Sequence, residues 1–235
     1  MRSAVRPPIW CARLRLVPYP EALAQQTRLE AERLEARIPD VLLLLEHPPT
    51  YTRGRRSTPT HLPMGEDWYR AQGIEIFDTD RGGQVTYHGP GQLVGYPIVS
   101  LRPYGDDVHD YIRRMERVVV AVLASYGVEA GAVEGLTGVW TRERRKIASI
   151  GVHVSRGVTT HGFALNVNND LQPFEWIVPC GIDHCSMSSL ARELGRELDL
   201  AEVADRVEAE FGRVYERSPI AVDPERLQDP KAVAA

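Results

Sequence analysis

The order and spacing of apolar residues predict an α+β fold, a mixed β-sheet flanked by helices. Three observations lead there. Apolar side chains recur at helical spacing between residues 107 and 126, they alternate or run together over short segments from 41 to 167, and the two patterns interleave without an internal repeat or a low-complexity linker. A chain of 235 residues, 43% hydrophobic and 26% charged, suffices for one large domain. A single domain over residues 1–220 is expected, with a flexible Pro/Ala-containing tail over 221–235.

Each element follows from its own pattern. Residues 9–17 partly alternate, as a strand would. Residues 21–38 place Leu23, Thr27, Ala31, Leu34 and Ile38 on one helical face and stop before Pro39. The apolar run 41–45 is short enough for a buried strand. Strands are expected near 74–78, 84–88 and 92–100. A long helix follows over 107–126, where Val108, Tyr111, Ile112, Met115, Val119, Val122, Leu123 and Tyr126 form one stripe and Gly127 supplies a stop. Further strands are expected over 137–141, 146–155, 158–167 and 176–179, with Arg156-Gly157 as a two-residue turn. A helix pair over 189–215 breaks at Gly195 and restarts at Asp199, with Glu202 three residues on as in a capping box.

Bulk charge narrows the function classes. A net charge of -4 argues against a general nucleic-acid binder. The arginine-rich N-terminus resembles a transit peptide in composition, but Pro7, Pro8, Pro18 and Pro20 would break its amphipathic helix. No apolar run approaches the ~20 residues of a membrane span. Three cysteines, Cys11, Cys180 and Cys185, point to a reducing compartment rather than a disulfide scaffold, so a cytoplasmic, unanchored protein is expected.

One residue stands out for its type. Of 28 basic residues only Lys146 and Lys231 are lysine, and Lys146 directly follows Arg144 and Arg145. Strand alternation puts Lys146 on the face of Ala148, Ile150, Val152 and Val154, with Phe163, Leu165 and Val167 across the hairpin. A desolvated lysine has its charged form disfavoured, whereas arginine stays protonated, so proton chemistry would require lysine here. A lysine that snorkels to water from a strand end meets the same pattern.

Two further stretches carry chemistry. In the run from Arg81 to Leu93, RGGQVTYHGPGQL, glycines permit close approach of backbone to a ligand, although a plain turn fits too and no nucleotide-binding motif matches. In residues 177–185, IVPCGIDHC, Cys180 precedes a glycine after an expected strand, which would expose its thiol. Cys180, His184 and Cys185 as zinc ligands lack a second well-spaced pair nearby, and Cys11 reads as a buried, inert thiol.

Taken in order, Glu46-His47-Pro48, then Tyr51 to Arg56, RGGQVTYHGPGQL, KIASIG from Lys146, THGFALNV from Thr160 and VPCGI resemble the lipoyl(octanoyl) transferase family over about residues 10–195. The resemblance implies a fold like the catalytic domain of biotin and lipoate protein ligases. It also implies transfer of an octanoyl group from acyl carrier protein, through a cysteine thioester, to a specific lysine of lipoyl domains in 2-oxoacid dehydrogenase complexes or the glycine cleavage H protein. By motif, Cys180 is implied as the nucleophile and Lys146 as the group that lowers its pKa. Arg81, Gly82, Gly83, Gln84, Val85, Thr86, Tyr87 and His88, with Ser149, Ile150, Gly151, Gly162, Phe163 and Ala164, would line the substrate site. No cofactor or metal is implied, no role falls on Cys185, and His88 and His161 are open between orienting and structural roles.

That chemistry is physically coherent. A nearby ammonium favours the thiolate, and the neutral amine can later take a proton from the attacking acceptor lysine. Oxyanion donors are expected at Gly82–Gly83 or Cys180–Gly181. The alternatives are an ATP-dependent lipoate or biotin ligase of the same fold, a cysteine thioester hydrolase, and a non-enzymatic carrier-binding module. Arg53, Arg55 and Arg56, or Arg142, Arg144 and Arg145, are candidates for a basic rim that steers acidic partners.

Overall fold

The structure, a computed structural model, describes residues 7–178 and 186–227. Its centre is an eight-stranded mixed sheet in the order β11 (Ser218–Ala221), β1 (Pro8–Leu16), β2 (Asp40–Glu46), β6 (Gln92–Ile98), β10 (Val158–Asn166), β9 (Lys146–Ser155), β8 (Leu136–Thr141), β7 (Ala130–Val133). β1 runs parallel to both neighbours and the remaining pairs are antiparallel.

The central strands β2, β6 and β10 are buried on both faces, which is why β2 reads as an unbroken apolar run. Leu42 and Leu44 enter the core beneath α3 (Val108–Ser125) and α5 (Leu200–Val214), while Val41, Leu43 and Leu45 enter the one beneath α1 (Tyr19–Leu34). Helix α3 matches the expected stripe. Asp107 caps it by accepting from the His109 and Asp110 N–H groups, and Met115, Val118, Val119, Val122 and Leu123 are fully buried. Each such valine or leucine is worth about 1.5–3 kcal/mol of burial. The β9–β10 hairpin also has the expected register, with Ile150 opposite Phe163, Ala148 opposite Leu165, and positive φ at Arg156 and Gly157. Ser189 caps α4 (Leu190–Leu194), Gly195 ends it with a φ of 67°, and Asp199 caps α5.

Several expectations need correction. Helix α1 ends at Leu34, not 38, and buries Tyr19, Ala22, Gln26 and Leu29 rather than the Leu23/Thr27/Ala31 face. The true face contains a polar residue because Gln26 Oε1 accepts the His161 N–H at 2.7 Å, a partner 135 residues away. Residues 176–178 do not form the expected strand. They end a 3₁₀ turn, Gln172–Trp176, and 179 lies outside the described residues. The ordered chain also passes residue 220, since Ala221 pairs with Cys11 and Leu227 is buried.

A second sheet, in the order β4 (Glu75–Asp78), β3 (Thr50–Arg53), β5 (Val85–His88), was legible only in part. β3, β7 and α2 (Glu66–Ala71) are too short for a periodic signal. Tyr51, Tyr69, Tyr87 and Phe174 pack edge-to-face beneath this sheet. Its loop 79–84 is thereby carried to β9, where the Gly82 N–H donates to Val152 O at 2.8 Å. No helix among the described residues is long and apolar enough to cross a membrane.

Candidate active site

A cleft lies between the glycine-rich loop and the β9–β10 hairpin. Among the sequence-derived candidates, Arg81, Gly83, Gln84, Val85, Thr86, His88, Lys146, Ser149, Ile150, Gly151, Gly162, Phe163 and Ala164 all line it. Gly82 faces a neighbouring cavity instead. Tyr87 is packed between Tyr51 and Phe174 on the small sheet. His161, an open candidate in the sequence, also lines it, as do Tyr19 and Tyr96, which were not singled out there. The signal for Tyr96 was a phenol within the apolar run that follows Gln92 in β6.

Lys146 is buried, with 2% of its surface exposed, at the first position of β9. Its N–H donates to Ser186 O and its carbonyl accepts from the Ser188 N–H, which fixes the strand end. The ammonium lies 5.4 Å from the Trp140 ring centroid. Glycine is required opposite it. A Cβ on Gly138, whose φ is +123°, would sit 2.8 Å from Lys146 Cε and 2.6 Å from Ala148 O. The Gly138 N–H is held by Glu116 Oε1 at 3.1 Å, a buried carboxylate on α3 that also accepts from Arg113 at 2.7 Å. Glu116 therefore positions the floor under the lysine, and sequence gave no sign of it beyond a charge on an apolar helix face.

The loop is built around Arg81. Its guanidinium donates to Thr52 O at 2.6 Å and to Thr52 Oγ1 at 2.9 Å. Gly54 lets the loop approach, because a Cβ there would meet Gly83 O at 2.6 Å. From Arg81 a directed chain of hydrogen bonds runs inward. Thr52 hydroxyl, already accepting from Arg81, donates to His88 Nε2 at 3.3 Å. His88 Nδ1 donates to Gln92 Oε1 at 2.8 Å, and Gln92 Nε2 donates to Asn166 Oδ1 at 2.9 Å. Asn166 Nδ2 then reaches Ser188 O, next to the pairing that holds Lys146.

The buried imidazoles are held neutral. A carbonyl can only accept, so His47 Nδ1 donates to Val17 O at 2.6 Å and Nε2 accepts from Tyr96 hydroxyl at 2.7 Å. Burial pushes the His47 pKa down to about 4 and holds His88 well below its usual value, with His47 adding to the latter. Burial also lowers His161, against the hydrogen bond from its Nε2 to Asp80 Oδ1 at 2.7 Å. Burial thus disfavours charge on these three imidazoles, while the guanidinium of Arg81 is turned to the backbone and hydroxyl of Thr52.

Cys180 and Cys185 lie outside the described residues, as do His184 and the Cys180–Gly181 pair. The described chain leaves at Val178 and resumes at Ser186, the residue bonded to Lys146. Cys11 is buried on β1, where burial pushes its thiol up to about 12. Of the two expected oxyanion donors on the loop, the Gly82 N–H is already committed to Val152. Of the six rim arginines, Arg53 is bonded to Asp78 and Glu66, Arg142 to Glu129, and Arg145 to Glu193.

Residues 18–212 match the lipoyl protein ligase A/B catalytic domain, most of the chain and all of the cleft. The chain belongs to that family. Within the lipoyl protein ligase A/B family, octanoyltransferases from two strains of Chloroflexus aurantiacus are each 50% identical over 205 residues, covering 86% of this chain and 92% of theirs. The fold is shared with the bipartite lipoate protein ligase of Thermoplasma acidophilum at a TM-score of 0.72 and 16% identity, over 97% of this chain and 91% of that one. A biotin protein ligase from Aquifex aeolicus superposes less closely, at a TM-score of 0.51 and 13% identity, over 89% of this chain and 69% of that one. These likenesses support the ligase-like α+β fold expected from sequence.

Proposed function

We propose that this protein is an octanoyltransferase of lipoate biosynthesis, which moves an octanoyl group from acyl carrier protein to a lysine of a lipoyl domain through a thioester on Cys180. The observation that carries the reading is a buried lysine lining a cleft between the glycine-rich loop and the β9–β10 hairpin, in a chain half identical to octanoyltransferases. In the first half-reaction the Cys180 thiolate attacks the thioester carbonyl, and the carrier's thiolate leaves, taking a proton from Lys146 and so leaving that amine neutral. In the second, the acceptor amine attacks the acyl-enzyme, loses a proton to Lys146 and releases Cys180 as thiolate. Lys146 first favours the thiolate as a cation and then serves as the base. Arg81 holds the loop, and Ser149 to Gly151 with Gly162 to Ala164 form the wall along which the acyl chain lies. Lipoyl domains as acceptors fit the T. acidophilum ligase, which is described together with its E2 lipoyl domain. The 2-oxoacid dehydrogenase complexes and the glycine cleavage H protein are the acceptors to test.

The test is incubation of the enzyme with octanoyl-carrier protein, then addition of a lipoyl domain without ATP. Octanoylated domain is expected. Product only when free octanoate and ATP are supplied would replace the transferase by a ligase, and octanoate released to water in place of modified domain would make it a hydrolase.

A further inference from the structure

The cleft crosses three strands of the large sheet. Lys146 and Ser149 to Gly151 line it from β9, Gly162 to Ala164 from β10, and Tyr96 from β6. Ala164 pairs with both Ser149 and Val94, so β10 lies between the strand that carries the lysine and the strand that carries Tyr96. Gly151 and Gly162 pair across the hairpin and place no side chain in the space. On the β6 side the cleft is bounded by aromatic rings. Tyr19 and Tyr96 are 2% and 3% exposed, and the buried His47 stands between them, its ring centroid 5.3 Å from that of Tyr19 and 5.8 Å from that of Tyr96. The Tyr96 hydroxyl donates to His47 Nε2 at 2.7 Å, and the far side of that imidazole is tied to Val17 O. Tyr19 is held by stacking on Phe77 and His88, with centroids 5.6 and 6.3 Å away. Rings interlocked and buried in this way form a rigid stop.

We propose that Tyr96 and Tyr19 determine which acyl chain length the enzyme takes, by closing the cleft one octanoyl chain away from the reacting carbonyl. The inference rests on the transferase reading above and adds to it the residues that set its selectivity. Lys146 marks the reacting end on β9, and two strand spacings of ~4.8 Å place β6 roughly 10 Å from it. The seven carbon–carbon bonds of an octanoyl group, each ~1.5 Å long, reach about 9 Å as an extended zigzag. A hexanoyl chain stops short of the rings and leaves space in front of them. A decanoyl chain is about 2.5 Å longer than an octanoyl chain and runs into them. Tyr96 cannot yield that length without losing its hydrogen bond to His47, nor Tyr19 without leaving its stack, so the longer chain is excluded by overpacking.

The experiment offers hexanoyl-, octanoyl- and decanoyl-carrier protein together at equal, subsaturating concentrations and reads the acyl-enzymes by intact mass. The donors compete for the same folded molecules, so the product ratios do not depend on how much of a variant folds. Tyr96→Ala and Tyr19→Ala are each expected to raise the decanoyl-to-octanoyl ratio about tenfold, the worth of two further buried methylenes. The hexanoyl-to-octanoyl ratio should stay within about threefold, since the shorter chain does not reach the rings; general loosening of the cleft would move both ratios. Tyr96→Phe keeps the ring and should leave both ratios within about twofold of wild type. An unchanged decanoyl ratio in both alanine variants, an equal rise in both ratios, or a Tyr96→Phe as permissive as Tyr96→Ala would overturn the assignment. A wild-type enzyme acylated by none of the three donors would instead overturn the transferase reading itself.

Discussion

Replacing Lys146 by arginine separates the two duties assigned to that residue. Arginine keeps a cation but has no proton to give up near neutral pH. The space at the amine is tight: a single added carbon on Gly138 would lie 2.8 Å from Lys146 Cε, and the Trp140 ring centroid is 5.4 Å from Nζ. A planar guanidinium cannot take the amine's place without moving Gly138 or Trp140, and overpacking of that kind costs about 1–3 kcal/mol of stability. Loss of a positioned general base typically costs ~10²–10⁴ in rate, or about 3–5 kcal/mol of barrier. Single-turnover mass spectrometry resolves the half-reactions. The acyl-enzyme should form at a reduced rate with Lys146→Arg and then persist on addition of lipoyl domain. Lys146→Met should be slow in both steps and should raise the pH at which Cys180 reacts with an alkylating probe. Wild-type turnover by Lys146→Arg would refute the proton-transfer account.

Two other substitutions and a pH series follow from the same geometry. Gly138→Ala must carry a side chain at a φ of +123° with a Cβ 2.6 Å from Ala148 O. Strain of about 1–3 kcal/mol and roughly 10²-fold lower kcat are expected, because the lysine must shift; unchanged kcat would remove Gly138 from the site's support. Glu116→Gln, which keeps an acceptor for the Gly138 N–H, should be milder than Glu116→Leu in kcat, and equal losses would make Glu116 a matter of packing alone. His47 is held near 4 in the fold, below its unfolded value of about 6.5, so below pH 6.5 only the unfolded chain takes up its proton. Stability should therefore fall by about 1.4 kcal/mol per pH unit for His47 between those values, with His88 and His161 adding in the same direction. Melting temperatures should be flat above pH 6.5 and drop below it, and a flat profile down to pH 5 would contradict the neutral imidazole network.

Elements with strong periodic patterns were legible in the sequence. The long helix, the β9–β10 hairpin and the unbroken run of β2 are buried on faces made mainly of apolar residues, and the register of the hairpin follows from alternation. Helix α1 was misread because Gln26, on its buried face, is satisfied by a backbone N–H from β10, a contact no local pattern contains. In the small sheet β4 and β5 fall where strands were expected, while β3, four residues long, was missed. At the site, Lys146 announced itself by residue type in a chain written with arginine. Tyr19, Tyr96, Gly138 and Glu116 did not, because their contribution depends on long-range contacts: an aromatic wall, a close approach and a single carboxylate beneath a strand.

Intact-mass analysis with peptide mapping, after incubation with octanoyl-carrier protein and no acceptor, tests the central claim most directly. The account predicts one octanoyl group, on Cys180, absent from Cys180→Ala and retained in Cys185→Ser. An octanoyl group that still forms in Cys180→Ala, or that maps to Cys11 or Cys185, would contradict it.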